Sequence, residues 1–328
     1  MYYCYNIYMK KIFVILLMFL TVNPSYALEN GVDAPKDGRV VQLYDGQAKR
    51  CTGFLYTERI IFTAGHCLYN GMTDKLHSNP LSGYPEAISY FDSPKISIEK
   101  YFLPESFEKR SNFGAQSKPF VGKNITEKND FAIYILSKPM QVKGKVSVAT
   151  PSQVEQFIEN KTPIRIIGYG KQDQRQQDDY RATPKFTEFT LIAPENAKIL
   201  IDEMKKKTTW PGEYWQTIHA QSLVGGPSAC NGDSGSGYYV KNGLDFIYIG
   251  AQTSMLGGAT NCSGQPWTSD LTIMGMSSAY ENLDLIQKAE TYVKSHPPKK
   301  TTIVCKKLIL TKKITAVFPS CPKGYKKV

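Results

Sequence analysis

The 328-residue chain contains no Cys-x-x-Cys pair, no His-x-x-x-His pair and only four histidines. Without ligand spacings of that kind nothing points to zinc, and no metal or other cofactor is expected. Long hydrophobic runs are equally scarce. The one sustained stretch, residues 12–22, is too short to span a bilayer comfortably. Acid is missing altogether from residues 297–328, which hold nine lysines, whereas Lys+Arg and Asp+Glu balance over residues 28–296. The basic excess is therefore a property of the tail and not of the body. No nucleic-acid partner is expected, and the tail alone is a candidate for contact with an anionic surface, set against the bland alternative of a soluble cap.

Lys10 and Lys11 precede the apolar run, and Ser25-Tyr26-Ala27 supplies small residues at the two positions a signal peptidase reads. Residues 1–27 are expected to be a cleaved signal peptide, with Met9 offering a second start directly before the basic pair. The mature chain is then secreted, extracellular or periplasmic. Cys4 leaves with the leader, and six cysteines remain. An even number in an exported protein favours disulfides, though six cysteines allow fifteen pairings.

Two short motifs carry the chemistry: Thr63-Ala64-Gly65-His66-Cys67 and Cys230-Asn231-Gly232-Asp233-Ser234-Gly235. A serine hydroxyl is a poor nucleophile near neutral pH. It needs a base within hydrogen-bond reach, and that base needs an acceptor on its other ring nitrogen. His66 can be the base and Ser234 the nucleophile. Asn129-Asp130-Phe131-Ala132-Ile133 offers a carboxylate at the start of an apolar strand. The turn can aim the N–H groups of Gly232 and Ser234 at a developing oxyanion. Each has a bland alternative (a core histidine, a loop acid, a turn serine), which the motif contexts outweigh. His77, His219 and His296 lack such contexts and read as surface or structural.

At these residues, in the order His66, Asp130, Ser234, the chain resembles the trypsin/chymotrypsin family of serine proteases. Four weaker landmarks follow in family order: a mature N-terminus at Leu28-Glu29-Asn30-Gly31, a Gly168-Tyr169-Gly170 turn, a substrate-binding strand at Gly250-Ala251-Gln252-Thr253, and a closing helix within 277–296. The resemblance implies an all-β fold of two six-stranded antiparallel β-barrels with a C-terminal helix and the site in the cleft between them. It implies two disulfides, Cys51 with Cys67 and Cys230 with Cys262. With those assigned, Cys305 and Cys321 remain for each other. It also implies that Asp233 receives the newly made N-terminal ammonium, here that of Leu28. Since Ala27 is the expected cleavage site, signal peptidase itself would create the activating amine. Glu29 departs from the family's apolar second residue, and a carboxylate there must stay wet or find a partner.

The same resemblance directs attention to the pocket beneath the nucleophile. Ser228 stands six residues before Ser234, where trypsin-like members carry an aspartate, and Ala229 follows it. A neutral floor disfavours Arg or Lys substrates. Gln252 stands where a histidine would signal glutamate specificity. Met255, two past Thr253, falls where a glycine normally keeps the pocket open, which favours small or medium apolar side chains. Asp270 is weighed for the pocket wall, with an exposed loop acid the preferred reading. Ser236 departs from the usual glycine after Gly235.

Along the rest of the chain, residues 40–62 alternate β-branched and aromatic runs with Gly and Asp turns, as antiparallel strands do. Residues 68–128 read as enlarged loops around strands such as Ile96-Ser97-Ile98, and 171–181 as an exposed polar loop. A short helix is expected within 192–207, and His296-Pro297-Pro298 stops the closing helix. Three regions follow: the leader 1–27, a trypsin-like protease domain 28–296, and a Lys-rich extension 297–328. In the extension the strand-like runs 301–304, 308–310 and 314–318 suggest a small hairpin clasped by Cys305 and Cys321. The expected function is a secreted, monomeric serine endopeptidase acting on protein or peptide substrates. Its rivals are a catalytically inert binding protein on the same scaffold, and an esterase or narrow processing enzyme sharing the triad.

Overall fold

A computed structural model of the chain describes residues 28, 31–35, 39–45, 48–68, 86–89, 96–105, 129–170, 184–206, 218–221, 228–230, 232–257, 272–298, 300–317 and 319–328. The two-residue strand β1 (Val32–Asp33) leads into β2 (Val40–Asp45), β3 (Ala48–Leu55), β4 (Ile60–Thr63), β5 (Glu86–Ser89), β6 (Ile96–Phe102) and β7 (Ala132–Leu136). Strands β2 to β7 close into a barrel in the order β2-β3-β4-β7-β6-β5.

The sequences of β4 and β7 read as unbroken apolar runs because both faces of each strand are buried. One face fills the barrel, with Ile61, Ala132, Tyr134 and Leu136 packed on Val41 and Leu55. The other face, Ile60, Phe62, Ile133 and Ile135, joins a second core shared with Tyr239, Phe246 and Tyr248. That shared core is aromatic. The Phe54 ring lies 5.3 Å from that of Tyr239 and 4.9 Å from that of Tyr248, spacings at which tilted rings attract.

The second half holds β8 (Val146–Val148), helix α1 (Pro151–Glu159), β9 (Ile164–Gly168), β10 (Lys185–Ile192), helix α2 (Pro194–Lys206), β11 (Ile218–Gln221), β12 (Gly237–Asn242), β13 (Asp245–Gly257) and β14 (Thr272–Ser278). Its sheet runs β10-β11-β14-β13-β12-β9, and β9 also pairs with β10, so six strands return upon themselves. Strand β1 is added at β10 and β8 at β13. In β10 buried and more exposed residues alternate, as expected of a strand with one wet face.

Helix α3 (Leu283–Ser295) closes the body, burying Leu285, Ile286 and Ala289 in the shared core. Its end is fastened by Arg59, a buried cation that donates Nε to Leu136 O (2.9 Å), Nη1 to His296 O (2.7 Å) and Nη2 to Glu99. A charge so placed is tolerable because every arm is matched. Beyond it, β15 (Thr301–Lys307), β16 (Leu310–Ala316) and β17 (Lys326–Lys327) form a separate three-stranded sheet in the order β16-β15-β17. Cys305 is bonded to Cys321 as expected.

Three elements differ from the sequence reading. The closing helix begins at Leu283 because Ser277 and Ser278 continue β14, paired with Ala251 and Gly250. Helix α1 was not foreseen, although Thr150, Pro151 and Gln153 form a complete capping box with proline in the first turn. In the extension, Leu308 opens the turn between β15 and β16 and is not a strand residue. The leader 1–27 and the loop 171–181 lie outside the described residues, as do most of residues 69–128.

Candidate active site

The first barrel contributes two side chains from neighbouring strands. His66 sits in a 3-10 turn, Gly65–Leu68, that follows β4, and Asp130 lies two residues before β7. Antiparallel pairing of Thr63 with Ala132 brings the two ends together. Asp130 Oδ2 lies 2.6 Å from His66 Nδ1, and Oδ1 accepts the His66 backbone N–H at 2.7 Å. The carboxylate is fully buried, while the His66 side chain keeps 26% of its surface exposed. With Nδ1–H given to the carboxylate, the ring presents its lone pair at Nε2, the form a general base requires.

Two further features hold this pair. The Cys51–Cys67 disulfide ties β3 to the residue after His66. Asn129 adopts φ +56°, a left-handed conformation that asparagine tolerates, and Asn282 Nδ2 donates to its Oδ1 at 2.7 Å. Asn282 also donates to Ser278 O at 2.8 Å, so the start of the closing helix reaches the residue before Asp130. Nothing in the sequence marked that link.

The second half contributes a sharp turn. Gly232 and Gly235 both have positive φ, 98° and 81°. At Gly235 a β-carbon would collide with Thr63 Oγ1 and Thr52 O, so glycine is required there on two counts. Thr52 of β3 spans the cleft: its N–H donates to Ser234 O (2.9 Å), its hydroxyl donates to Gly232 O (2.8 Å), and that hydroxyl accepts from Tyr169 N–H (3.0 Å). Gly235 N–H donates to Gln252 O at 2.7 Å, and Gln252 N–H to Ser236 O at 2.8 Å. With the carbonyls of Gly232 and Ser234 occupied in this way, their N–H groups donate to no group among the described residues. That is the arrangement an oxyanion site needs.

Asp233 points away from the cleft and is fully buried. Cys230 N–H donates to Oδ2 at 2.8 Å, Gly170 N–H to Oδ1 at 2.7 Å, and the Leu28 backbone N–H is a third donor. Burial pushes its pKa up to about 7 against the pull of those three donors. The Gly168-Tyr169-Gly170 turn makes room for it, since a β-carbon at either glycine would strike the carboxylate. The Leu28 side chain is itself fully buried, in the core of the second barrel.

The family model for trypsin matches residues 29–266. The chain belongs to the trypsin family of serine proteases. A search among curated proteins returned no match.

Within this trypsin-family body the expected pocket residues are buried and uncharged at the floor: Ser228 is fully buried and Ala229 nearly so. Gln252 is buried, its Oε1 accepting from Tyr238 Oη–H and its Nε2 donating to Ser254 O at 2.6 Å. Thr253 Oγ1 donates to Gly275 O at 3.2 Å. Met255 is half-buried and packs on the second barrel's core. Cys230 is disulfide-bonded, while Cys262 lies outside the described residues, as do Glu29, His77, Asn231 and Asp270. The sulfurs of Cys51 and Cys67 lie close to His66 but are joined to each other, which leaves no thiolate for a metal.

His219 on β11 has a setting that the sequence did not disclose. It is buried opposite Gly275 and Ile192, and among the described residues neither ring nitrogen finds a hydrogen-bond partner. Burial holds its pKa down at about 4, so the ring is neutral at physiological pH.

Proposed function

We propose that the protein is a secreted serine endopeptidase that cleaves protein or peptide substrates through an acyl-enzyme. The observation that carries this reading is the buried Asp130 carboxylate, both of whose oxygens are committed to His66, with the Ser234 carbonyl oxygen 3.9 Å from the Sγ of the adjoining Cys67. Ser234 attacks the scissile carbonyl and His66 takes its proton at Nε2. His66 then returns that proton to the leaving amine, and Asp130 keeps the tautomer and steadies the imidazolium. The Gly232 and Ser234 N–H groups stabilise the tetrahedral oxyanion, each worth about 3 kcal/mol in comparable sites. A water molecule then hydrolyses the acyl-enzyme by the same proton route. One chain carries all of these groups, so the monomer suffices.

Cleavage after Ala27 frees the Leu28 amine, which as an ammonium neutralises Asp233 and fixes the oxyanion turn. Support comes from the Leu28 N–H already directed at Asp233 and from the buried Leu28 side chain. No separate pro-segment is then needed. The neutral Ser228–Ala229 floor and the Met255 side chain favour small or medium apolar residues before the scissile bond, and Thr253 belongs to the strand that binds substrate backbone. The lysine-rich extension gives a second contact, with an anionic surface.

The deciding experiment is the intact mass of the secreted protein before and after a fluorophosphonate probe, with Ser234→Ala alongside. A mass beginning at Leu28 and a single adduct that disappears in the variant is the expected result. The same mass without an adduct moves the inert-scaffold reading to the front. An active form that begins at another residue removes the proposed maturation.

A further inference from the structure

The hairpin of the extension carries side chains that neither its turn nor any core explains. Strands β15 and β16 pair from Thr301↔Ala316 to Lys307↔Leu310, which leaves Leu308 and Ile309 alone in the turn. Two-residue hairpin turns are served by Asn-Gly or Asp-Gly, since they need positive φ. Leu308 has φ +54°, a region that leucine enters only at an energetic cost. Nor does packing compensate: Leu308 is 93% exposed, Ile309 96% and Leu310 56%. Large apolar side chains presented in this way at a single tip mark a surface meant to be covered.

What surrounds the tip says what covers it. The pairing register places Lys307, Lys312 and Lys327 on one face of the sheet and Lys306, Lys313 and Lys326 on the other. All six are exposed, and residues 297–328 hold no acidic side chain. A soluble polyanion would be met by one basic face and would gain nothing from leucine and isoleucine at the tip. With both faces basic and an apolar end leading, the geometry fits an approach tip-first into a layer that is apolar inside and anionic outside.

We propose that the extension anchors the protein to anionic phospholipid bilayers, with Leu308 and Ile309 inserted among the acyl chains and the lysines of both faces at the headgroups. Lys306 and Lys307 adjoin the tip, and Lys312 and Lys313 lie about 7–10 Å behind it along the strand. From there long lysine stems reach headgroup phosphates while their methylenes stay in apolar surroundings. Insertion this shallow is reversible and holds the body at the membrane without a spanning helix. The anchor is independent of the catalytic reading and would stand on an inert body as well.

The test uses the mature full-length protein and co-sedimentation with vesicles of phosphatidylcholine alone or mixed with phosphatidylglycerol. The wild type is expected on the mixed vesicles only, in a salt-dependent manner. The double replacement Leu308→Gly/Ile309→Asn puts glycine at the position with positive φ, so a loss of binding in it is not a loss of the turn. It is expected to weaken partition by about tenfold or more, with Ser234 labelling unchanged. Lys306→Gln and Lys307→Gln are each expected to weaken it roughly fivefold. Absence of the wild type from the mixed vesicles overturns the proposal. So does undiminished binding by the double variant together with competition by dextran sulfate, which would make the extension a binder of soluble polyanions.

Discussion

The two barrels supply their halves of the cleft in different ways. The first barrel's half is local: His66 and Asp130 sit at the ends of paired strands, and both carboxylate oxygens serve one residue. The second half is composite. Its turn is held by Thr52 from the opposite barrel and by Gln252 on β13, while Cys230, Gly170 and Leu28 surround Asp233 beneath it. Apart from the Asn282 brace on Asn129, the first half is complete once its barrel folds. The second is complete only when both barrels have docked and the segment at residue 28 is in place, so the proposed cleavage after Ala27 would act on that half and spare the other.

The largest expected effect comes from breaking the local half. Asp130→Asn keeps the shape of the carboxylate but forces the wrong histidine tautomer, and kcat should fall about 10⁴-fold. A steady-state assay checks this, and a drop of less than tenfold would mean that the Asp130–His66 contact is not part of the reaction. The composite half should fail differently. On the proposed maturation, Asp233→Asn, or a cleaved chain that retains Ala27, would remove the ion pair that sets the oxyanion turn. A loss of about 10²–10³-fold is expected, the cost of one oxyanion donor, and probe labelling of Ser234 should slow in parallel. The downfield proton resonance of the His66–Asp130 hydrogen bond should be untouched. Its loss as well would show that the halves are not separable.

The same comparison has a pH signature. In the uncleaved chain burial pushes the Asp233 pKa up to about 7 from 3.8. The folded state then holds a proton that the unfolded state has released. Stability falls as pH climbs from about 4 to about 7 and stays low above that range. In a chain cleaved after Ala27 as proposed, the Leu28 ammonium would stabilise the charged carboxylate, and this decline should disappear. Denaturant midpoints of the two forms across that range check it.

A smaller effect is expected at Thr52, where the halves touch. Thr52→Val removes the donor to Gly232 O and the acceptor for Tyr169 N–H while preserving shape. Each lost partner costs about 1 kcal/mol or more when the group left behind is buried. A roughly tenfold fall in kcat is expected, with KM little changed, because the turn loosens while the pocket remains. A change in KM alone would make Thr52 a pocket residue and not a brace for the turn.

How much of this was legible in the sequence follows the same division. The local half was readable because its parts are adjacent to their own signals, His66 beside Cys67 and Asp130 at the head of an apolar strand; of the composite half, only Ser234 between its turn glycines was as plain. The strands within 40–62 and at 96–98 and the closing helix were legible from periodicity and punctuation, whereas the second barrel was expected only from the family resemblance. What escaped depends on contacts between distant segments. Thr52 is an ordinary strand threonine until two barrels meet over it, and Asn282 is an ordinary helix-start asparagine until Asn129 is found against it. Leu308 was read as strand because its composition is strand-like, and only the pairing register shows it to be the turn. Helix α1 was overlooked although Thr150 and Gln153 spell its cap, since its one buried residue, Val154, gives too weak an apolar stripe to see.

His219 gives the smallest effect on activity and the sharpest contrast with His66. Both are histidines of the trypsin-family body, yet one is partly exposed against a carboxylate and the other is buried with no partner among the described residues. The folded-state pKa of His219 is about 4, lowered from 6.5 by burial. Between those values the unfolded chain takes up a proton that the folded chain refuses. Its contribution is therefore fully present above about pH 6.5 and is lost as pH falls toward 4, by up to about 3 kcal/mol. His219→Leu removes that term, so the stability difference between variant and wild type should be constant above neutrality and shift in the variant's favour through the acid range. Urea midpoints measured from pH 7 to pH 4 give the comparison, while kcat at neutral pH should be nearly unchanged. Parallel curves for the two proteins would mean that His219 finds a partner for its proton and is not held neutral by burial.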